Sequence, residues 1–444
     1  MKSIGIVWAQ FGPYHYARAA ALQKLVGAGK VHAMELANQS SWYEWKRTAA
    51  AVEVITLCPG AVTENLTFWP VFRSARRKFA ALKLQVCLLP SYWPKQSLAV
   101  LLAAKSLGIR TVLMNESHAD TASTRAAAVW VKRRLVSLFD AALVGGLPQK
   151  RYARSMGMPE EKIFTGYDAV DNEFFARKSA ETKVRDLEFR CQYDLPEHYF
   201  LSLGRFIPKK NLTTLIRAYS KLMVSDAQCQ THLVMVGSGE EEPNLRSLCQ
   251  QLGLPVYDKK LAGAGNRRSE TGKQRPGVHF YGFRQIEENP IFYALADVFI
   301  LPSLREEWGL VVNEAMASGL PVVVSSTVGC AEDLVRPGWP VSPGLSVIHQ
   351  SAQWPLMDRF IRQNGFVFDP RSDESVETLA KALVVLASNP LLRKTMGRNS
   401  LLIASDFSCE NFARNALLAV QAAQRDGVRH STISPATLAN SDSH

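Results

Sequence analysis

The sequence predicts an α/β protein with two doubly wound parallel-sheet lobes that face a central cleft. Three observations support this fold class. The chain has 444 residues, which is more than one hydrophobic core usually organises. Short apolar runs of strand length alternate with helical patterns, the order that is typical of parallel βαβ units. The alternation begins again at Tyr199, so a second lobe of similar size follows the first.

The first half of the chain supplies the first lobe. It has strand-like runs at 4–9, 54–57, 86–89, 111–114 and 141–144, and helical patterns at 16–25 and 98–107. We expect residues 1–180 to form one Rossmann-like domain. A closing amphipathic helix at 407–424 is expected to pack back on it, and residues 426–444 are expected to form a flexible tail.

The second half repeats the pattern. It has strand-like runs at 200–203, 233–236, 278–281, 298–301 and 322–325, and helical patterns at 212–222, 290–296 and 309–318. We expect residues 190–405 to form the second Rossmann-like domain. Two segments without clear periodicity, 258–276 and 337–363, are expected to be surface insertions.

The composition excludes several classes of protein. Hydrophobic residues make up 47% and charged residues 21% of the chain, which excludes a disordered chain, a collagen-like rod and a small disulfide scaffold. The seven cysteines occur singly, so we expect reduced thiols. No apolar run reaches the ~18 residues of a membrane-spanning helix, and the first residues read as a strand rather than a signal peptide. We therefore expect a cytoplasmic protein.

The charge is uneven along the chain. Residues 1–180 contain 24 Lys and Arg against 12 Asp and Glu, whereas 181–444 contain 28 of each, so the net charge of +12 belongs to the first part. A basic half indicates an anionic partner, and a solvated basic surface is the alternative. Aromatic residues at 68–72 beside the basic run 73–78 favour peripheral contact with an anionic membrane at its inner face. No nucleic-acid module accompanies these runs, so no nucleic acid is expected.

The most specific pattern lies at 306–321, which read EEWGLVVNEAMASGLP after a predicted strand. Gly309 is expected to open a helix there. Ligands of open α/β sheets bind beyond the carboxyl ends of the strands. The backbone N–H groups of Gly309, Leu310 and Val311 would then face the cleft and could hold a diphosphate.

Two acids lie on either side of that glycine. Glu306 precedes the helix, and Glu314 lies about 7.5 Å along its axis, which is within reach of a ribose whose phosphates sit at the helix start. A core helix with incidental acids is the alternative. It does not explain why acids bracket a glycine at a strand–loop–helix junction.

Weaker patterns follow other strands. Arg205 and Lys210 could neutralise a diphosphate, although a solvated basic loop is the alternative. Gly237 could be a ligand contact or only a tight turn. His118 follows a first-lobe strand and could contact a transferred group, although a lone His is more often structural. Gly12 offers a close backbone approach to a ligand.

Taken together, these patterns resemble the retaining glycosyltransferases of family 4. The resemblance rests on residues 204–211, GRFIPKKN, on Gly237-Ser238-Gly239 and on Pro302-Ser303. It also rests on 306–317, on 329–334 and on 364–367, and it covers most of 200–424. The front half matches more loosely, through Gly12, 115–118 and 166–172. The resemblance implies a GT-B fold and transfer of a sugar, with retention, from a nucleotide-diphosphate sugar. It implies no bound cofactor and no obligatory metal, and no DxD motif stands where a bridging cation would need one.

The resemblance also implies residue roles. Arg205 and Lys210 would bind the diphosphate, Glu314 the ribose and Glu306 the donor sugar, while His118 would lie near the sugar and phosphate. The backbone around Phe283 and Arg284 would contact the base, with UDP expected over GDP. The acceptor would be a saccharide or lipid-linked saccharide, in the synthesis of cell-surface polysaccharide, glycolipid or a related glycoconjugate.

The sequence departs from the family pattern at three positions. Glu307 and Trp308 stand where the family more often has Pro and Phe, and Asn313 where an aliphatic residue is usual. Two other functions are kept as alternatives: a GT-B-fold sugar-nucleotide epimerase, and a non-catalytic subunit that binds sugar nucleotides.

Overall fold

A computed structural model describes residues 3–27, 29–40, 52–122, 125–259, 275–338 and 360–425. The tail at 426–444 and most of the expected insertions at 258–276 and 337–363 lie outside the described residues.

The first sheet has seven parallel strands in the order β3-β2-β1-β4-β5-β6-β7. They are β1 (Ile4–Trp8), β2 (Val31–Glu35), β3 (Val54–Thr56), β4 (Val86–Pro90), β5 (Arg110–Asn115), β6 (Ala141–Val144) and β7 (Ile163–Phe164). The helices of this part are α1 (Pro13–Val26), α2 (Phe68–Ala81), α3 (Lys95–Lys105), α4 (Ala126–Val136) and α5 (Leu147–Ser155).

Two helices, α6 (Asn172–Val184) and α7 (Asp186–Tyr193), lead to the second sheet. That sheet has eight strands in the order β10-β11-β9-β8-β12-β13-β15-β14, with only β14 antiparallel. They are β8 (Tyr199–Leu203), β9 (His232–Val236), β10 (Val256–Asp258), β11 (Val278–Phe280), β12 (Val298–Leu301), β13 (Val322–Ser325), β14 (Ile361–Arg362) and β15 (Gly365–Phe368).

The helices around the second sheet are α8 (Leu212–Ser225), α9 (Glu242–Gln251), α10 (Asn289–Leu295), α11 (Leu310–Ala317), α12 (Ala331–Leu334), α13 (Ser375–Ser388) and α14 (Pro390–Ala404). The last described helix, α15 (Cys409–Arg425), returns to the first sheet. Its Phe412, Ala416 and Val420 share a core with Ile6 of β1 and Leu88 of β4. The predicted boundary at residue 180 falls inside α6, whose Phe175 is buried in the core of the second lobe.

The predicted parallel sheets are confirmed, and the predicted strands occur within one or two residues of their expected ends. One strand between β1 and β3 was not expected, because β2 reads VHAME and is not an apolar run. Its Glu35 is fully buried, where it accepts the backbone N–H of Phe11 at 3.0 Å and the hydroxyl of Thr56 at 2.7 Å. Those hydrogen bonds allow a carboxylate to end an interior strand.

Within the described part of the chain, no single helix is long and apolar enough to cross a membrane. Ser375–Ser388 and Pro390–Phe407 reach that length and hydropathy only as a pair, with a 103° bend between them.

The strand order reverses at an equivalent place in both sheets. In each, the first strand lies between the second strand and a strand that follows later in the chain, which places β1 between β2 and β4 and β8 between β9 and β12. Loops that leave the carboxyl ends of such strands enclose the crevice in which α/β proteins bind ligands.

Candidate functional site

Lys210 and Glu306 form an ion pair beyond the ends of β8 and β12. The Nζ atom of Lys210 lies 2.6 Å from Oε1 of Glu306, and the hydroxyl of Ser303 donates to the same oxygen at 3.2 Å. Glu306 is buried. Strands β8 and β12 are neighbours, so the two motifs that sequence reasoning treated separately meet at the switch point of the second sheet.

The Arg205 side chain lies on the same loop as Lys210 and is exposed. Among the described residues, its guanidinium has neither a hydrogen bond nor an ion pair. A planar cation on the same loop as an ammonium group is suited to a polyanion such as a diphosphate.

Gly237 lies against this loop for a steric reason. A Cβ atom on Gly237 would lie 1.9 Å from the carbonyl oxygen of Gly204, and the residue has φ of +138°. Its own N–H donates to the carbonyl oxygen of Gly282 at 2.8 Å. The close packing of two turns therefore requires a glycine at this position, and the ligand contact of Gly237 stays a prediction.

His118 reaches the second lobe from the end of β5. Its Nε2 lies 2.8 Å from the carbonyl oxygen of Glu306. A carbonyl oxygen only accepts hydrogen bonds, so Nε2 carries the proton in this contact. His118 is buried, and its hydrogen bond joins the first lobe to the loop that contains Glu306.

The start of α11 is set by Gly309, which has φ of +105° in the left-handed region. The backbone N–H groups of a first helical turn have no partner within the helix, and the helix dipole is positive there. Leu310 and Val311 supply this turn and are half-buried. The predicted helix start at Gly309 is confirmed, and a helix start of this kind can bind an anion.

Glu314 lies on α11 and is fully buried. The hydroxyl of Tyr293 donates to its Oε2 at 3.0 Å, and the hydroxyl of Tyr14 donates to its Oε1. Burial raises the pKa of the Glu314 carboxyl to about 7, although these hydrogen bonds oppose the shift. Sequence reasoning missed both tyrosines, because neither belongs to a recognisable motif.

Two of the departures from the family pattern pair with each other. Nε1–H of Trp308 donates to Oδ1 of Asn313 at 2.8 Å, and both side chains are buried. An indole needs an acceptor when it is buried, and an aliphatic residue at 313 could not provide one. The third departure, Glu307, lies 3.3 Å from the Nζ atom of Lys209.

Further contacts hold the two lobes together beside the site. The side-chain amide of Gln149 donates to the carbonyl oxygen of Glu307 at 2.8 Å. The guanidinium of Arg151 pairs with both oxygens of Glu332 at 2.8 and 2.6 Å. The backbone N–H of Leu147 donates to the carboxylate of Asp333 at 3.0 Å. All three first-lobe groups belong to α5, so this helix is one side of the interface.

Gly12 precedes α1, and its backbone N–H donates to Nδ1 of His15 at 2.9 Å. His15 is neutral, because burial, together with the charge of Arg18, lowers its pKa to about 3. Gly12 has φ of −113°, which any residue can adopt. Its place at the end of β1 puts it at the switch point of the first sheet.

A buried acidic pair with one arginine also lies in the first lobe. A guanidinium nitrogen of Arg18 is 3.6 Å from Oδ1 of Asp168. Burial and the neighbouring Glu116 raise the pKa of Asp168 well above its usual range, and burial also raises the pKa of Glu116. Ionisation of either carboxyl group therefore disfavours ionisation of the other.

Phe283 and Arg284 follow β11, two strands away from β8. Phe283 is half exposed, and the guanidinium of Arg284 donates to the carbonyl oxygen of Lys259 at 3.2 Å. No hydrogen bond or ion pair within the described residues joins them to Lys210 or Glu306. Across the same residues, no three His, Cys, Asp or Glu side chains are grouped so that they could hold a metal ion.

Part of the chain is similar in sequence to known glycosyltransferases. Residues 197–389 match the family model described as "Glycosyl transferases group 1". The chain is 33% identical over 177 residues to "Uncharacterized glycosyltransferase MJ1607" of Methanocaldococcus jannaschii, covering 39% of each chain. It is 27% identical over 191 residues to "O-antigen chain mannosyltransferase B" of Escherichia coli, covering 43% of this chain and 44% of that one. The matches thus span about two fifths of the length of these relatives.

The structural similarity to solved proteins covers more of the chain than the sequence similarity does. The crystal structure of Anabaena Alr3699/HepE in complex with UDP covers 95% of this chain and 100% of its own, with a TM-score of 0.61 at 17% identity. The chain therefore has the GT-B fold, with two Rossmann-like lobes, and its second lobe contains the segment that matches the group 1 glycosyl transferases.

Proposed function

We propose that this protein is a retaining glycosyltransferase that moves a hexosyl group from a nucleotide-diphosphate sugar to an acceptor hydroxyl. The observation that supports this most directly is the meeting of Lys210, Glu306 and His118 beside the start of α11. This site combines a cation and the N–H groups of a helix start, which suit a diphosphate, with the carboxylate of Glu306, which suits sugar hydroxyls.

In this proposal, Arg205, Lys210 and the N–H groups of Leu310 and Val311 stabilise the charge that develops on the departing diphosphate. The bond from the anomeric carbon to the phosphate oxygen breaks as the acceptor oxygen bonds to that carbon on the same face. The acceptor proton passes to the departing phosphate oxygen, so no side chain serves as a covalent nucleophile. We propose that neither a metal nor a bound cofactor is required.

Glu306 would accept hydroxyl groups of the donor sugar. His118 donates to the carbonyl of Glu306 and would order this loop next to the sugar and phosphate. Glu314 would accept the ribose hydroxyls, and the backbone at Phe283 and Arg284 would contact the base. We propose UDP over GDP, and one structural neighbour is described in complex with UDP.

We further propose a saccharide or lipid-linked saccharide acceptor, in the synthesis of cell-surface polysaccharide or glycolipid. Trp69 on α2 and Trp130 on α4 are 62% and 61% exposed. Both helices cover the same face of the first sheet, since Val71 and Val136 belong to one core. Exposed arginines accompany both tryptophans on these helices, and this supports peripheral contact with the inner face of an anionic membrane.

The test compares Arg205→Ala with Arg217→Ala, an exposed arginine on α8 outside the site. UDP-glucose and GDP-mannose are supplied with extracted lipid-linked saccharides, and the released nucleoside diphosphate and the labelled product are measured. Arg205→Ala should lower kcat at least tenfold with little change in the acceptor KM, because it acts on the leaving group. Arg217→Ala should match the wild type.

Other results would reject the proposal. Equal losses in kcat and in acceptor binding would remove Arg205 from the leaving-group site. An epimerised sugar nucleotide without transfer would favour the epimerase, and nucleotide binding without turnover would favour the non-catalytic subunit.

A further inference from the structure

Tyr14 belongs to the first lobe but packs into the second. It is the second residue of α1, and its ring lies against the core cluster that contains Val312 and Ala315 of α11. Its hydroxyl donates to Oε1 of Glu314, a residue 300 positions away in the chain. Tyr14 is only partly buried, whereas Glu314 is fully buried.

The second partner of Glu314 comes from its own lobe. Tyr293 on α10 donates to Oε2 at 3.0 Å. Because α10 and α11 pack in the same core of the second lobe, this hydrogen bond persists whatever the distance between the lobes. The Tyr14 contact exists only when α1 lies against α11.

A ribose that binds Glu314 must donate a hydroxyl to this carboxylate. The phenol of Tyr14 makes the same hydrogen bond, and no surface of Glu314 is exposed while it does so. A nucleotide can therefore reach the carboxylate only after a covering group has moved, and Tyr14, which is partly buried and comes from the other lobe, is the group that separation of the lobes removes.

On the assignment of Glu314 to the ribose, which rests on the proposed function, we propose that Tyr14 is an internal competitor of the donor ribose. Its hydroxyl holds the position on Glu314 that a ribose hydroxyl would take when α1 lies against α11. Donor binding then exchanges one hydroxyl donor on Glu314 for another. Nucleotide release is assisted by the return of Tyr14, which restores a hydrogen-bond donor to Oε1 of Glu314 while Tyr293 stays on Oε2.

The proposal is tested by calorimetric titration at pH 8, where the Glu314 carboxyl is ionised in most molecules because its pKa is about 7. UDP and GDP are titrated into the wild type, and the tighter-binding one is used for the variants. Tyr14→Phe keeps the ring and removes the hydroxyl. It should bind the nucleotide about tenfold tighter, the equivalent of one hydrogen bond to a charged group.

Tyr293→Phe is the matched control, since it removes the same chemical group from the same carboxylate within one lobe. It should not bind more tightly, because its hydrogen bond remains in the liganded state. The 2′,3′-dideoxy nucleotide is the second control. It cannot donate to Glu314, so the gain of Tyr14→Phe should fall to less than about threefold.

Two results overturn the proposal, and they are distinguishable from each other. If the nucleotide binds the wild type and Tyr14→Phe equally, or binds Tyr14→Phe less tightly, then Tyr14 does not compete with the ribose while the proposed function stands. If neither protein binds UDP or GDP, both the competitor and the proposed function are rejected. Thermal melting of each variant verifies that it is folded before titration.

Discussion

The Trp308–Asn313 hydrogen bond makes a quantitative prediction about the second lobe. Trp308→Phe leaves Oδ1 of Asn313 buried without its donor, which costs about 1–3 kcal/mol. The smaller ring also leaves unfilled volume at a site that is 1% exposed, which adds about 1–2 kcal/mol.

Asn313→Leu breaks the same contact from the other side. The buried indole N–H then lacks an acceptor, again at about 1–3 kcal/mol. Part of this cost is offset, because the Nδ2 atom of Asn313 has no hydrogen-bond partner among the described residues and is removed as well. When both residues are changed, neither unpaired group remains. The double variant should therefore be less destabilised than the sum of the single variants, with a coupling of about 1–2 kcal/mol.

The assay is urea unfolding followed by circular dichroism on the wild type, both single variants and the double variant. Trp69→Phe, on the exposed surface of α2, is the control for loss of an indole and should change stability by less than about 0.5 kcal/mol. Additive single effects, within about 0.3–0.5 kcal/mol, would refute the reasoning that the two departures from the family pattern compensate each other.

Three further predictions concern the site and the surface. Burial raises the folded pKa of Glu314 to about 7, above its ordinary value of 4.5, so its contribution to stability is complete below pH 4.5 and is lost as the pH rises through 7. Glu314→Gln should show a flatter stability profile over that range in thermal melts, and an unchanged profile would contradict the assignment. Nucleotide affinity of the wild type should rise with pH through 7, since the carboxylate is the acceptor, while calorimetry on Glu314→Gln should find weak, pH-independent binding. Sedimentation with anionic vesicles should recover the protein at low salt and lose it at high salt, and Trp130→Ala should reduce binding while Val224→Ala, exposed on the second lobe, should not. Binding that is independent of salt, or equal in the two variants, would exclude the membrane contact.

Local sequence patterns predicted most of the second sheet. β12 and β13 have the predicted bounds, because a strand buried on both faces in a parallel sheet is a continuous apolar run. The same rule fails for β2, because VHAME is not a continuous apolar run. Its Glu35 ends an interior strand and is stabilised by the N–H of Phe11 and the hydroxyl of Thr56. Neither donor is adjacent in the sequence, so no local pattern could show that this carboxylate is satisfied.

The candidate site also has a part that the sequence predicted and a part that it could not predict. The spacing of Gly309 and Glu314 within one helix is fixed by 1.5 Å per residue, so the sequence placed them correctly relative to each other. It could not place Tyr14 on Glu314, since that hydrogen bond joins residues from two lobes.

By itself, the sequence determined the alternation of strands and helices, the glycine at the start of α11 and the groups that follow each strand. These depend on backbone sterics and hydrophobic periodicity, which act over a few residues. Only the tertiary structure decided which groups meet: His118 with the Glu306 loop, Trp308 with Asn313, and Tyr14 with Glu314. Hydrogen bonds act over about 3 Å, so residues distant in the chain become partners only when the packed sheets and lobes bring them to that distance.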